Sequence, residues 1–238
     1  MADLDPRAYY EDFSASYDRR RDSAYHRMLD ELCIEIAAPY ARGRRVLELG
    51  CGTGRILEPL SEIAAEAVGV DFAAGMIAKA RSRGLDARHA DLCALPFPDA
   101  SFDLSCSFKV LPHVRDPRSA IEEAARVTRP GGHLLLEVYN PISFRYLAKR
   151  LGGARRVGDG ARTEADVPTR WDTRGAAAAL LPEGTTLLEH YGVRIFTPFA
   201  AVHQVPVLGG ALRRAEQAGM RSPLRGLGGF LVLLVRKA

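Results

Sequence analysis

The sequence predicts an α/β fold in which a parallel sheet is covered by helices on both faces. Between residues 44 and 139, short apolar runs alternate with segments of helical periodicity, and this alternation is typical of such a sheet. The connections between the runs are short, so the crossovers are expected to be right-handed. The 238 residues suffice for one domain of this type with an elaboration.

Each element follows from the local pattern of apolar residues and turn residues. The strands are predicted at 45–49, 66–71, 85–89, 101–107 and 132–139, with helices at 54–64, 73–83 and 117–127 between them. Further along the chain, strand-like runs are found at 190–197 and 229–236, with a predicted helix at 210–218. Short helices also fit residues 143–151 and 176–181.

The chain is expected to divide into four segments around this sheet. Residues 1–40 carry apolar and aromatic side chains at helical spacing and predict an N-terminal helical lid. Residues 41–140 form the alternating core. Residues 141–188 contain many arginines and little periodicity, so they are interpreted as a cap or insertion. Residues 189–238 supply the last two strands of the core sheet.

Composition and charge exclude several classes of protein. A hydrophobic content of 47% and a charged content of 26% are normal for a soluble globular chain, and no apolar run approaches the ~20 residues of a membrane span. The chain starts without a secretory signal, and its four cysteines lack metal-ligand spacing. We therefore expect reduced thiols in a cytoplasmic protein and no metal site. The net charge of +4 favours solvated arginines over a nucleic-acid surface, because aromatic residues are not interleaved with the basic clusters.

A glycine-rich turn follows the first predicted strand. Three glycines alternate in this glycine turn (residues 50–54), and a helix-compatible segment comes next. Glycine allows unusual backbone angles and close approach of a ligand, and a helix N-terminus offers unpaired N–H groups. The turn is therefore predicted to bind a ligand, although an ordinary strand-to-helix turn rich in glycine fits the same residues.

An aspartate ends the second predicted strand. Asp71 lies about 20 residues beyond Gly50, where an acidic side chain can accept hydrogen bonds from both hydroxyls of a ribose. The same aspartate could instead cap the next helix. Position 55 holds Arg55 where the dinucleotide fingerprint requires glycine, which argues against a nicotinamide or flavin enzyme.

These motifs resemble those of the class I methyltransferases that use S-adenosylmethionine, in particular the small-molecule type that includes ubiquinone and menaquinone methyltransferases. The matching segments are residues 46–54, 69–77, 90–92, 95–97, 101–103 and 127–134, in the family's order. The resemblance implies a Rossmann-like doubly wound fold with a seven-stranded sheet. That sheet would be mostly parallel, with one antiparallel edge hairpin.

The resemblance also implies a set of cofactor-binding residues at the strand ends. Glu48 would lie near the methionine amino group, Asp71 would hold the ribose hydroxyls, and Asp91 would accept a hydrogen bond from the adenine amino group. The other residues assigned to this site are Tyr17, Gly50, Cys51, Gly52, Gly54, Phe72, Met76, Leu92, Ser107 and Phe108.

Some of these assignments have structural alternatives. Phe72 and Met76 would pack against adenine, but both fit an ordinary core equally well. Tyr17 resembles the aromatic residue of a lid that closes over the methionine end, yet it also fits a helix stripe. Cys51 is interpreted as a small filler of the turn rather than a nucleophile.

His113 is the candidate catalytic base. It follows the fourth predicted strand, where many relatives carry two histidines and this chain has Pro112 in the first place. A single histidine is more often structural, so its role as a base is a hypothesis. The cofactor itself supplies a methyl group on a sulfonium, and the protein has to align an acceptor with it.

The acceptor is expected to be a small molecule, with S-adenosylhomocysteine as the second product. The run Asn-Pro-Pro-Tyr, typical of relatives that methylate nucleic-acid bases or glutamine amides, is absent after the fourth strand. Two alternatives remain open: an RNA methyltransferase, indicated by the arginines of 145–174, and a cofactor-binding protein without catalysis. A basic segment at 143–156 leaves room for transient contact with a membrane surface. The identity of the acceptor and the oligomeric state are not indicated.

Overall fold

The computed structural model describes residues 17–152, 169–197 and 199–238. The strands are β1 (Arg45–Leu49), β2 (Glu66–Asp71), β3 (Asp86–His89), β4 (Phe102–Ser107), β5 (Thr128–Tyr139), β6 (Thr185–Val193) and β7 (Phe230–Lys237). The α-helices are α1 (Tyr17–Arg21), α2 (Ala24–Ala41), α3 (Leu57–Ile63), α4 (Ala74–Ser82), α5 (Pro117–Val127), α6 (Phe144–Gly152), α7 (Arg174–Ala178) and α8 (Pro206–Gly219). Three 3₁₀ turns cover Leu111–His113, Ala200–Gln204 and Pro223–Leu227.

The strands form one seven-stranded sheet in the order β3-β2-β1-β4-β5-β7-β6. The first five strands are parallel, whereas β7 runs antiparallel to both β5 and β6. The predicted mostly parallel sheet with an antiparallel edge is therefore confirmed. In parallel sheets the carboxyl ends of the strands share one edge, which places the glycine turn and the segments after β4 and β5 side by side.

Both faces of the sheet are buried. Successive residues of β5 point to opposite faces of the sheet. Leu135 belongs to the apolar cluster that contains residues of α2, and Leu134 belongs to the cluster that contains residues of α5. The start of α5 is fixed locally, because Asp116 accepts a hydrogen bond from the N–H of Ser119 at 3.1 Å and a proline opens the helix. The bounds predicted for β1, β2 and α5 are confirmed.

The bounds of β6 differ from the predicted bounds. The strand predicted at 190–197 lies at Thr185–Val193. The chain leaves the strand at Arg194, which has a φ of 60°, and the N–H groups of Ile195 and Thr197 donate to the carboxylate of Glu216 instead of to a neighbouring strand. The polar Thr185 and Thr186 extend the strand on its exposed edge, where the apolar pattern carries no signal.

Several helix limits also shift. The helix predicted at 54–64 begins at Leu57, because residues 54–56 still form a bend and a turn. The helix predicted at 210–218 begins at Pro206. The helical region predicted before β1 contains α1 and α2, and α2 includes Pro39. Residues 1–16 of the predicted lid and residues 153–168 of the predicted cap lie outside the described residues. The four-segment division stays a prediction.

Candidate functional site

The glycine turn is held tightly against the sheet. The N–H groups of Gly50 and Cys51 both donate to the carbonyl of Val70, at 2.7 and 3.0 Å. Gly50 has a φ of 73°, and a Cβ added to it would lie 2.3 Å from Cγ2 of Val110. Gly52 also has a positive φ, of 55°, but nothing lies within 4 Å of its added Cβ. The turn thus needs glycine at position 50 for packing and leaves open space above position 52.

Asp71 is attached directly to this turn. One carboxylate oxygen accepts the N–H of Gly52 and the other accepts the N–H of Ala73, both at 2.9 Å. Burial raises the pKa of Asp71, and these backbone donors oppose the rise. Each oxygen keeps acceptor capacity for a further hydrogen bond. The structure therefore combines a local role for Asp71 before α4 with a geometry that suits two ligand hydroxyls.

Glu48 lies on β1 beneath the turn and is almost fully buried. Its Oε2 has no hydrogen-bond partner, and the same is true of the buried Oγ of Ser107 at the end of β4. Burial raises the pKa of Glu48 well above its usual range; the charges of Asp30 and Asp71 add to the rise and that of Lys109 opposes it. Buried polar atoms normally have partners. These two atoms fit a ligand that brings a cation and a polar group to this edge, as S-adenosylmethionine does.

The remaining predicted residues are distributed along the same edge. Phe72 is half-buried directly after β2, Met76 is buried on α4, and Leu92 is buried after β3. Asp91 accepts the N–H of Cys93 at 2.9 Å. Because Asp71 and His89 pair in register, the ends of β2 and β3 are adjacent, so these residues follow neighbouring strand ends.

The lid side of the site is tied to the turn by charges. Asp18 of α1 accepts the hydroxyl of Thr53 at 2.7 Å and pairs with Arg83 at 3.1 Å. Tyr17 stacks under the guanidinium of Arg21, 5.1 Å from the ring centroid. Arg55, which distinguishes this turn from the dinucleotide fingerprint, projects away from it towards α1 and α2 and pairs with acidic residues there. Thr53 and Arg55 thus connect the turn to α1, to α2 and to the residue between them.

Sequence reasoning missed a buried charge cluster beside the site. Phe108 packs in the core under α2, and the next residue, Lys109, has a φ of 62° and reaches Asp30 of α2. The N–H of Lys109 donates to Glu137 at 3.1 Å. Burial by itself would lower the pKa of Lys109, but neighbouring acidic groups, Cys33 and Asp30 first among them, raise it overall. The available signal was composition, because this arginine-rich chain contains only four lysines.

His113 lies in the 3₁₀ turn after β4. Its Nε2 is 3.4 Å from the hydroxyl of Tyr139, and the two rings meet edge to face with centroids 5.5 Å apart. The described end of the predicted cap covers this region, because the N–H of Asp172 donates to the carbonyl of Tyr139 and that of Arg170 donates to the carbonyl of Pro112, both at 2.8 Å. The structure thus places His113 at the edge that carries Ser107, and its role as a base stays a prediction.

Other kinds of site receive no support within the described residues. All four cysteines are free, and burial raises the pKa of the Cys51 thiol well above its usual range, in keeping with a filler. No group of three metal-ligating side chains is found in the described parts of the chain. None of the described helices has the length and apolar character needed to cross a membrane.

Comparison with known proteins identifies the domain. The family model of the methyltransferase domain matches residues 47–136. A probable S-adenosylmethionine-dependent methyltransferase of Mycolicibacterium smegmatis is 36% identical over 128 residues, which are 53% of this chain and 46% of that protein. A demethylmenaquinone methyltransferase of Paenarthrobacter aurescens is 41% identical over 103 residues, 42% of this chain and 41% of that protein. The chain therefore spans about half the length of the curated relatives it matches.

A solved structure extends the similarity of the fold. The S-adenosylmethionine-dependent methyltransferase of Thermotoga maritima, described as a possible histamine N-methyltransferase, superposes with a TM-score of 0.71 at 21% identity. The match covers 96% of this chain and 98% of that one. The segment that the family model matches includes the glycine turn, Asp71 and Asp91. Residues 47–136 thus match a methyltransferase domain, and the chain is similar to S-adenosylmethionine-dependent methyltransferases.

Proposed function

We propose that the protein transfers the methyl group of S-adenosylmethionine to a small-molecule acceptor, such as a quinone, polyketide, sterol or related metabolite, in the cytoplasm. One observation carries the proposal: two buried carboxylates flank the glycine turn, and each keeps acceptor capacity towards the same strand edge. Asp71 is fixed there by the N–H groups of Gly52 and Ala73, and Glu48 has an unpartnered oxygen.

The residues divide into a cofactor side and an acceptor side. Glu48 would bind the amino group of the methionine part, Asp71 the ribose hydroxyls, and Phe72 and Met76 the adenine faces. When bound, the cofactor supplies a methyl group on a sulfonium whose leaving group is neutral. On the acceptor side, the hydroxyl of Tyr139 orients His113, which would accept the proton of the acceptor's nucleophile.

The choice of a small acceptor rests on the relatives and on the chemistry of the acceptor side. The relatives matched above include a demethylmenaquinone methyltransferase, which is 41% identical over 103 residues. Tyr139 and Phe230 are buried at this part of the edge, and the half-buried ring of Trp171, which packs on Tyr139, would suit a flat apolar molecule. Of the described arginines that indicate RNA, Arg145 stacks on these rings and Arg170 pairs with Asp172, so these two have partners within the protein.

Cofactor binding is tested by calorimetry with S-adenosylmethionine. The wild-type protein should bind it, and Asp71→Ala should weaken binding by roughly 10- to 100-fold, because two hydrogen bonds to a carboxylate are lost. Asp86→Ala on the neighbouring β3 is the matched control, since Asp86 is an exposed partner of Arg88. Undetectable binding by the wild-type protein at millimolar cofactor would contradict the proposal.

Methyl transfer is tested separately. The protein is incubated with methyl-labelled cofactor and a cell extract, and the extract is then separated into organic-soluble metabolites and RNA. Label in the metabolite fraction supports a small acceptor. Label in RNA, together with RNA binding that falls steeply with salt, would replace it by the RNA hypothesis. Label in neither fraction would favour a binding protein without catalysis.

A further inference from the structure

The guanidinium group of Arg145 lies inside a box of aromatic rings. Its Cζ is 4.4 Å from the ring centroid of Tyr139, 4.8 Å from that of Trp171 and 4.6 Å from that of Phe230. These three rings, here called the aromatic box, come from the end of β5, the segment before α7 and the start of β7. A cation over several ring faces is held by their quadrupoles, so the position of Arg145 is well defined.

The box leaves one polar group of Arg145 unused. Its Nη1 is buried and has no hydrogen-bond partner among the described residues. The carboxylate of Glu137 instead accepts hydrogen bonds from the N–H of Lys109 and the thiol of Cys33. A buried cationic N–H without an acceptor is unfavourable by more than an ordinary unmade hydrogen bond. Stacking explains where the guanidinium lies but leaves this donor without a function.

The box lies beside the residues assigned to methyl transfer. Tyr139, one of its walls, contacts His113 through its hydroxyl and its ring. Ser107 ends the adjacent parallel strand β4, so the box and the orphaned Ser107 hydroxyl open at the same sheet edge. Trp171 is connected to the same wall, because the next residue, Asp172, donates its N–H to the carbonyl of Tyr139.

We propose that Arg145 and the aromatic box form an acceptor-binding subsite for a flat ring that carries an anionic oxygen, a carboxylate or an ionised hydroxyl group. The half-buried ring of Trp171 supplies apolar surface for the flat part of the molecule, and Nη1 donates to the oxygen. A cationic acceptor is excluded from this place because Arg145 already occupies the ring faces. The subsite rests on the proposed function, since it defines the acceptor of that same reaction.

The test uses Trp171, which is the only tryptophan of the chain. Its fluorescence is followed during titration with benzoate and with benzamide, two flat rings of the same shape that differ in charge. The wild-type protein should bind benzoate at least about tenfold more tightly than benzamide, because a hydrogen bond to a charged group is stronger than a neutral one. Equal responses to both probes, or no response to benzoate, would overturn the subsite without any variant.

A variant assigns the preference to Arg145. Arg145→Gln should remove the difference between benzoate and benzamide, whereas Arg150→Gln, an exposed arginine on the same helix, should keep it. Benzoate preference that survives in Arg145→Gln would overturn the role of this residue. Circular dichroism and urea unfolding confirm that both variants are folded.

The test of the acceptor subsite can be distinguished from the test of the proposed function. Arg145→Gln should bind S-adenosylmethionine in calorimetry as the wild-type protein does, because the residue lies on the acceptor side. A loss of cofactor affinity in this variant would contradict the assignment of Arg145 to the acceptor. A wild-type protein that prefers benzoate but binds no cofactor would retain the anion subsite and refute methyl transfer.

Discussion

The ammonium group of Lys109 lies within hydrogen-bond distance of the carboxylate of Asp30, although the two residues are 79 positions apart. Both side chains are only 10% exposed. The second oxygen of Asp30 accepts from Nε of Arg55 at 3.0 Å. The carboxylate of Asp30 on α2 therefore pairs with one residue after β4 and with one residue after the glycine turn, and these two ion pairs connect both segments to α2.

Asp30→Asn should destabilise the protein by roughly 3–5 kcal/mol, because it removes the carboxylate that pairs with the buried ammonium of Lys109. Urea unfolding at neutral pH measures the change. Glu66→Gln, which breaks the exposed pair between Arg45 and Glu66, is the control and should cost less than about 1 kcal/mol. Equally small losses of unfolding free energy in both variants would show that the buried pair contributes no more to stability than the exposed pair.

The contribution of Asp30 should depend on pH in a defined direction. Burial by itself would raise the pKa of Asp30, but Lys109 and Arg55 lower it below 3.8 overall. A carboxyl group with a lowered pKa stabilises the folded state above its unfolded pKa, and that stabilisation is lost as the pH falls. The difference in unfolding free energy between wild type and Asp30→Asn should be constant near neutrality and shrink below about pH 4. A difference that grows on acidification would contradict this.

Glu48→Gln should have the opposite pH dependence. Burial raises the pKa of Glu48 well above 4.5, so the folded state binds a proton that the unfolded state releases. Wild-type stability is then lost relative to Glu48→Gln as the pH rises above about 4.5. We expect the variant to unfold at a higher temperature than the wild type at pH 8 and to bind S-adenosylmethionine more weakly. A variant that is less stable at pH 8 would refute the assignment of an unpaired carboxyl group.

Gly50→Ala should disrupt the site through packing as well as backbone strain. The new Cβ would overlap Cγ2 of Val110, and the φ of 73° disfavours any side chain. Gly43→Ala is the matched control, because Gly43 has a φ of 66° but nothing within 4 Å. The control should lose about 1–2 kcal/mol from backbone strain alone, and Gly50→Ala should lose clearly more. Urea unfolding that gives equal losses would contradict the close contact with Val110.

His113→Gln should lower methyl transfer by roughly 100-fold or more while the affinity for S-adenosylmethionine is unchanged, because a general base acts only on the acceptor. The rate of label transfer to the metabolite fraction and calorimetry give the two readouts. His133→Gln is the control, since His133 lies at the other end of the sheet, paired with Arg236. Loss of cofactor affinity in His113→Gln would indicate a structural role.

Local patterns account for much of the fold and part of the site. The bounds of β1, β2 and α5 agree with their predictions, because alternation, glycine punctuation and an N-cap are properties of neighbouring residues. The glycine turn and Asp71 were recognisable for the same reason. The end of β6 was not, since the donors of Ile195 and Thr197 are satisfied by Glu216, about 20 residues further along the chain.

By itself the sequence determined where the chain turns and which side chains face a core, because backbone angles and hydrophobic period are local. The order of its motifs also predicted the methyltransferase domain that the family model matches over residues 47–136. Only the tertiary structure decided that Asp30 meets Lys109 and that Arg145 meets the rings of Tyr139, Trp171 and Phe230. Those contacts depend on the strand order and on the antiparallel direction of β7. Both bring together residues that are far apart in the chain, so no pattern among neighbouring residues predicts the contacts.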